Sequence, residues 1–202
     1  MDKIDVPLAV FTSNIESLIS IYNDSEKIRQ LKKKELEDSL NVKSWSDKEF
    51  NEYSHYAFHF DWLLLQSLFV SAFSYFENYM ESIAKFIEST GEQKIKIKDI
   101  KGDGILDTYR KYLYLIGNVE KASNGKKEWQ KLNDFKKVRN IITHAYGKLD
   151  KEFEILKKHD IYYGPSKRMI RIKNINFVKD FVVTSTSYMN EIAIEVKKIY
   201  GG

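Results

Sequence analysis

From Trp62 to Ile87 the apolar side chains return every three or four positions: Trp62, Leu65, Phe69, Ala72 with Phe73, Phe76, Met80, Ile83 and Ile87. Only a helix gathers residues at that spacing on one side, because a strand alternates its side chains every second residue. A helix with so wide an aromatic face must bury it, so other helices are expected to pack around it. The stripe is therefore read as a core and not as a cofactor box. Turn signals are scarce, with two prolines and nine glycines in 202 residues, which argues against an all-β fold and for an all-α one. A chain of this length fits one domain and can bury about two-thirds of its unfolded surface.

Other segments carry the same period. Val10, Ile15, Leu18, Ile19, Tyr22, Ile28, Leu31 and Leu36 predict one or two helices over residues 5–40, with a lysine-rich outer face from Lys27 to Lys34. Ser46 followed by Glu49 is a capping-box signature, and a long helix is expected from there to about Ser89. Residues 91–104, with Ile95, Ile97 and Ile100, read as a loop or a short strand. A helix follows over Ile105–Ile116, stopped by Gly117-Asn118, then a turn at Ser123-Asn124-Gly125. Trp129, Leu132, Phe135, Val138 and Ile142 set the inward face of the next helix, which should end near Gly147. Residues 160–172 place β-branched and aromatic side chains on both sides of Gly164-Pro165-Ser166-Lys167, the pattern of a small β-hairpin. Asn176 is expected to cap a last helix to Tyr200, with Phe177, Phe181, Val182, Met189, Ile192, Ile194 and Val196 as its apolar positions.

Cysteine is absent, which removes disulfides, thiolate nucleophiles and thiolate metal sites together. No basic leader followed by a long apolar run opens the chain, and the run at Leu63–Phe73 is well short of the ~20 residues that cross a bilayer. A cytoplasmic protein, free of membrane, is the expectation. The formal charge is only +4, but it is unevenly spread. Between Lys121 and Lys148 stand eight basic residues against two acidic ones, Glu128 and Asp134. Such a stretch is either a solvated helix face or a surface that draws a polyanion.

Within it lies the segment richest in chemistry, Arg139-Asn140-Ile141-Ile142-Thr143-His144-Ala145, running into Tyr146-Gly147. An arginine offers a fixed fork of donors suited to phosphate, and a histidine changes protonation near neutral pH. No glycine-rich phosphate loop or metalloprotease helix accompanies it. His55 and His59 stand four apart, a spacing that can hold zinc, but no third ligand is evident and no metal or cofactor is expected. His159 reads as solvated.

Arg139-Asn140, three residues, His144, one residue and Tyr146 resembles the signature of HEPN domains, and Ser74-Tyr75-Phe76-Glu77 is similar to the serine-to-Phe-Glu element of many members of that superfamily. The resemblance covers roughly residues 58–200. It implies an antiparallel helical bundle of HEPN type over 58–202, with residues 1–57 as an N-terminal helical extension packed on it in one structural domain. It also implies a homodimer whose motif helices share a cleft, and metal-independent RNA cleavage of toxin or antiviral-defence type. Some members pair with a nucleotidyltransferase-type antitoxin that adenylylates the tyrosine, here Tyr146.

On an ideal helix Arg139 and His144 lie about 140° apart, whereas Asn140 and His144 share a face. A lone helix thus points cation and imidazole different ways, unless it unwinds near His144 or a two-fold partner supplies the missing group. In a shared cleft His144 would take the proton of a ribose 2′-OH or hand one to the leaving 5′-oxygen. Arg139 would stabilise the charge on five-coordinate phosphorus, Asn140 would orient His144 or bind phosphate, and Glu77 would steady the arginine. The nucleophile lies in RNA, so DNA should resist. The alternative is a non-catalytic helical module of the same architecture that binds RNA, nucleotide or a protein partner.

Overall fold

The computed structural model describes residues 4–39, 46–90, 94–145, 148, 154–159, 161–163 and 169–201. Tyr146, Gly147 and the Gly164–Lys167 turn are outside the described residues.

The first helix, α1 (Asp5–Ser39), is unbroken. It buries Ile15 and Phe11 and half-buries Leu8, Leu18, Ile19 and Tyr22 against the same core as the other helices. Val10, Ile28 and Leu31, expected among its apolar positions, are exposed. The helical stripe that descends from Ile15 through Tyr22 continues into Glu26, Arg29 and Lys33, so beyond Tyr22 the inward contacts are polar. Arg29 sits there, paired with Glu26 and donating to the Tyr56 carbonyl at 3.0 Å.

Ser46 caps α2 (Asp47–Ser54) through the reciprocal box with Glu49 that the sequence announces. The chain then stays helical through a π turn, His55–His59, into α3 (Phe60–Thr90). The single α-helix expected from Ser46 to Ser89 is thus interrupted by one wide turn, in which Phe60 N–H bonds to the His55 carbonyl. Within this π turn the Tyr56 carbonyl accepts a hydrogen bond from the Arg29 guanidinium. Along α3 the expected stripe is buried from Leu65 to Ile87, with Trp62 half-buried at its start.

In the connector, residues 97–99 form a 3₁₀ turn and no strand occurs among its described residues. Helix α4 (Ile105–Leu115) ends where Asn118, not Gly117, takes the left-handed conformation, with φ 53°. Asparagine tolerates that region by local polar contacts. Helix α5 (Lys127–His144) buries Trp129, Leu132, Phe135 and Val138 and half-buries Ile142. It stops at His144, three residues short of the expected end.

A short α6 (Glu154–His159) and two strands, β1 (Tyr162–Tyr163) and β2 (Met169–Ile170), precede α7 (Ile175–Tyr200). The strands pair antiparallel, Tyr162 with Ile170 and Tyr163 with Met169. The cap of α7 is Asn174, whose side chain accepts from the backbone of Asn176. The sequence placed that role on Asn176, two residues too late. Ile194, expected inward, is exposed, because it lies about 200° round the helix from buried Ile192.

Phe181 is the centre of the core, with the rings of Phe69, Phe73, Phe76 and Phe135 all within 6.1 Å of its own. Contacts between α3 and α7 ascend together, Phe69 to Phe177, Phe76 to Tyr188 and Tyr79 Oη to the Met189 carbonyl. Those two helices therefore run the same way. Helix α5 opposes α7, since Phe135 meets Phe177 and Trp129 meets Tyr188. The bundle is helical as expected but not uniformly antiparallel, since α3 and α7 run the same way.

Candidate functional site

Helix α5 presents two chemical faces. Arg139 projects toward α3, where its guanidinium lies over the Phe73 ring at 5.7 Å and donates to Glu77 Oε2 at 3.3 Å. Its other terminal nitrogen donates to Asn140 Oδ1 at 3.0 Å. The Nε is buried without a hydrogen-bond partner among the described residues. With 25% of the Arg139 side chain and 20% of the Glu77 side chain exposed, the pair is sheltered but still reaches the surface. Burial raises the pKa of Glu77, and the nearby Arg139 and Lys136 charges oppose that rise. Two of the guanidinium's edges are therefore fixed, which is how a cation is held in one orientation before a ligand arrives.

The other face carries Asn133, Lys137, Asn140 and His144. Spacings of four, three and four place them within a narrow stripe along the helix. Their upper part borders a cleft of about 500 Å³ between α4 and α5. Lys136, Lys137, Asn133 and Asn140 line it from α5, and Arg110 and Lys111 from α4, with Asn124, Asp103 and Asp107 completing the rim.

The α4 wall is built, not incidental. Arg110 is buried, paired with Asp107 at 2.8 Å, donating to the Ala122 carbonyl at 3.0 Å and stacked over Trp129 at 5.2 Å. Asp107 also accepts from the Asp103 backbone N–H, and despite its burial these bonds hold its carboxyl below the usual range. Gly102 and Gly104 make the approach to α4. A Cβ on Gly102 would stand 2.3 Å from the Thr108 nitrogen, and Gly104 has φ 84°. From α5, Lys136 reaches back to the Asp103 carbonyl and carboxylate.

His144 is exposed and is the last residue of α5. The helix is regular up to it, with Thr143 Oγ1 bonding back to the Arg139 carbonyl at 2.9 Å. So the structure brings Arg139, Asn140 and Glu77 together, sets His144 one turn beyond Asn140 on the other face, and leaves Tyr146 outside the described residues. Ser74 donates to the Val70 carbonyl at 3.0 Å and takes no part in the cluster.

Among the described residues no three His, Asp or Glu side chains gather as a metal site would, and no helix is long and apolar enough to cross a membrane. The Asp107-Arg110-Lys111 wall was not read from the sequence. Its signal was present in the i, i+3, i+4 alternation of charge on α4, as was the Asn133-Lys137-Asn140-His144 period. No family model, curated protein or solved structure matches this chain.

Proposed function

We propose that the chain is a metal-independent endoribonuclease of toxin or antiviral-defence type, a HEPN-like bundle whose active site forms at a homodimer interface. One observation carries the reading, together with the Arg139-Asn140, three residues, His144 spacing: Arg139 is clamped between Glu77, Asn140 and the Phe73 ring while keeping part of its surface open. Arg29 and Arg110 are held by similar internal partners, so the clamp on Arg139 supports the reading only with that spacing and not by itself.

The regular course of α5 through His144 keeps cation and imidazole on different faces of one protomer, which is the reason for a two-fold partner. Across such an axis Arg139 of one protomer faces His144 of the other. His144 then takes the 2′-OH proton, the freed oxygen attacks the adjacent phosphorus, and the bond to the 5′-oxygen breaks as that oxygen receives a proton from the imidazolium, leaving a 2′,3′-cyclic phosphate and a 5′-OH. Arg139 meets the charge that builds on the phosphoryl oxygens, and Asn140, held by Arg139, offers its NH₂ group to the same phosphate. Tyr146, two residues past His144, would be the place for nucleotidyl transfer by an antitoxin.

A non-catalytic module binding RNA, nucleotide or protein is the second reading, favoured by the exposure of His144. Incubating the protein with RNA in EDTA separates the two. Cleavage with a cyclic-phosphate end, abolished by His144→Ala and by Arg139→Ala, is the expected result. Equal cutting by wild type and both variants would overturn the assignment.

A further inference from the structure

We infer that the cleft between α4 and α5 seats the phosphodiester backbone of a single RNA strand beside the scissile bond. The identity of the strand rests on the ribonuclease reading, whereas the chemistry of the seat rests on the cleft itself.

The cleft is rich in donors and poor in free acceptors. Asn124 has its carbonyl oxygen taken by the Trp129 indole N–H at 3.1 Å, and Asn140 has its own taken by Arg139 at 3.0 Å. Both amides therefore turn NH₂ groups toward anything that enters. The side chain of Asn133, half-buried on the same wall, makes no hydrogen bond among the described residues. Four cationic side chains line the space against two carboxylates. Of those carboxylates, Asp107 is engaged by Arg110, Lys111 and the Asp103 N–H, and the Asp103 side chain stands in solvent. Each of the four cations also holds an internal acceptor, Arg110 and Lys111 at Asp107, Lys136 at Asp103 and Lys137 at Asp134, so what the cleft offers a ligand is their remaining donor hydrogens together with the amide NH₂ groups.

Phosphodiester oxygens are the matching acceptors. The cleft's volume of about 500 Å³ lies within the ~300–1,000 Å³ range of small-ligand sites and admits a nucleotide unit. From Asn133 to His144 the stripe spans about 16 Å along α5, so a strand leaving the cleft over Asn140 arrives at the imidazole. Among the described residues no aromatic ring lines the cleft, and backbone charge, not stacking on bases, is what this lining recognises. Binding of this kind follows backbone charge and is largely indifferent to sequence.

The test uses the full chain carrying His144→Ala, so that a labelled single-stranded RNA is bound but not cut, with anisotropy read over a series of salt concentrations. Lys111 and Lys137 have side chains 36% and 57% exposed, so reversing their charge spares the core. Lys111→Glu with Lys137→Glu should weaken binding at least tenfold and flatten the salt dependence by about 0.7 per phosphate contact removed. Asn133→Asp, which exchanges a donor for a charge while keeping the shape, should weaken it severalfold. Unchanged affinity and salt slope in both variants would overturn the inference, as would a parent protein that binds no RNA. Strand binding that depends on the cleft in a wild type that never cuts would overturn the ribonuclease reading and leave the cleft standing. Cutting that ignores the cleft would do the reverse.

Discussion

Glu77 shows how one residue can serve the site against the interest of the fold. Burial makes its ionised carboxylate costly, and the Arg139 and Lys136 charges offset that only in part, since the pKa remains raised. A carboxyl whose folded pKa lies above its unfolded value releases stability as pH rises through that folded pKa, and regains it when protonated. Glu77→Gln should therefore leave the protein at least as stable as wild type at pH 7, with the difference shrinking on acidification, as melting at pH 5 and pH 7 would show. Cleavage should fall about tenfold, because the guanidinium loses its charged anchor. His144→Ala makes the complementary case. The side chain is exposed, so the melting point should stay within what ~0.5 kcal/mol moves, while cutting is lost altogether. A drop in stability in step with activity would mean that His144 is a structural residue. Arg139, Asn140 and His144 could be singled out as candidates from the sequence because their residue types are chemically distinctive. The Arg110 wall was not, since a buried arginine on an amphipathic helix looks like any charged surface residue until its partners Asp107, Trp129 and Ala122 are placed.

Elements were legible where period decides and illegible where partners decide. The α3 stripe and the Ser46 box could be read because a helix face and a cap are local properties. The π turn at His55–His59 could not, since no local pattern marks it and the side chain that meets it, Arg29, lies 27 positions from Tyr56. The anchoring of α6 is of the same nonlocal kind. Lys131 of α5, with Lys158 and His159 of α6, converges on Asp180 of α7, and those bonds hold the Asp180 carboxyl down at about 2. A depressed folded pKa gives stability that is present above the ordinary aspartate range and lost as pH falls toward 2. Solvent screens the two lysines, so Asp180→Asn should cost only about 1 kcal/mol at pH 7. Acid denaturation monitored by circular dichroism should show the gap between the two proteins closing between about pH 4 and pH 2. The Phe181 ring, by contrast, lies among four others, and Phe181→Ala should cost about 3–5 kcal/mol at any pH.

At the scale of the molecule, the direction of α5 against α7 and the regularity of its last turn leave each protomer with half of the proposed chemistry on each face. That arrangement makes a quantitative prediction. If Arg139 of one subunit works with His144 of the other, Arg139→Ala and His144→Ala proteins are each inactive alone but complementary together. In a mixed dimer one composite site receives both intact side chains and the other receives neither. Equal mixing with free exchange makes half the dimers mixed, so activity should return to about a quarter of wild type. Dilution below the dimer dissociation constant should abolish it again. Native mass spectrometry of the same mixtures, with one variant carrying a mass tag, establishes that exchange has occurred. If mixed dimers form and no cutting returns, the cation and the imidazole do not work as a cross-subunit pair, and the two-fold site is wrong even if each variant on its own is dead.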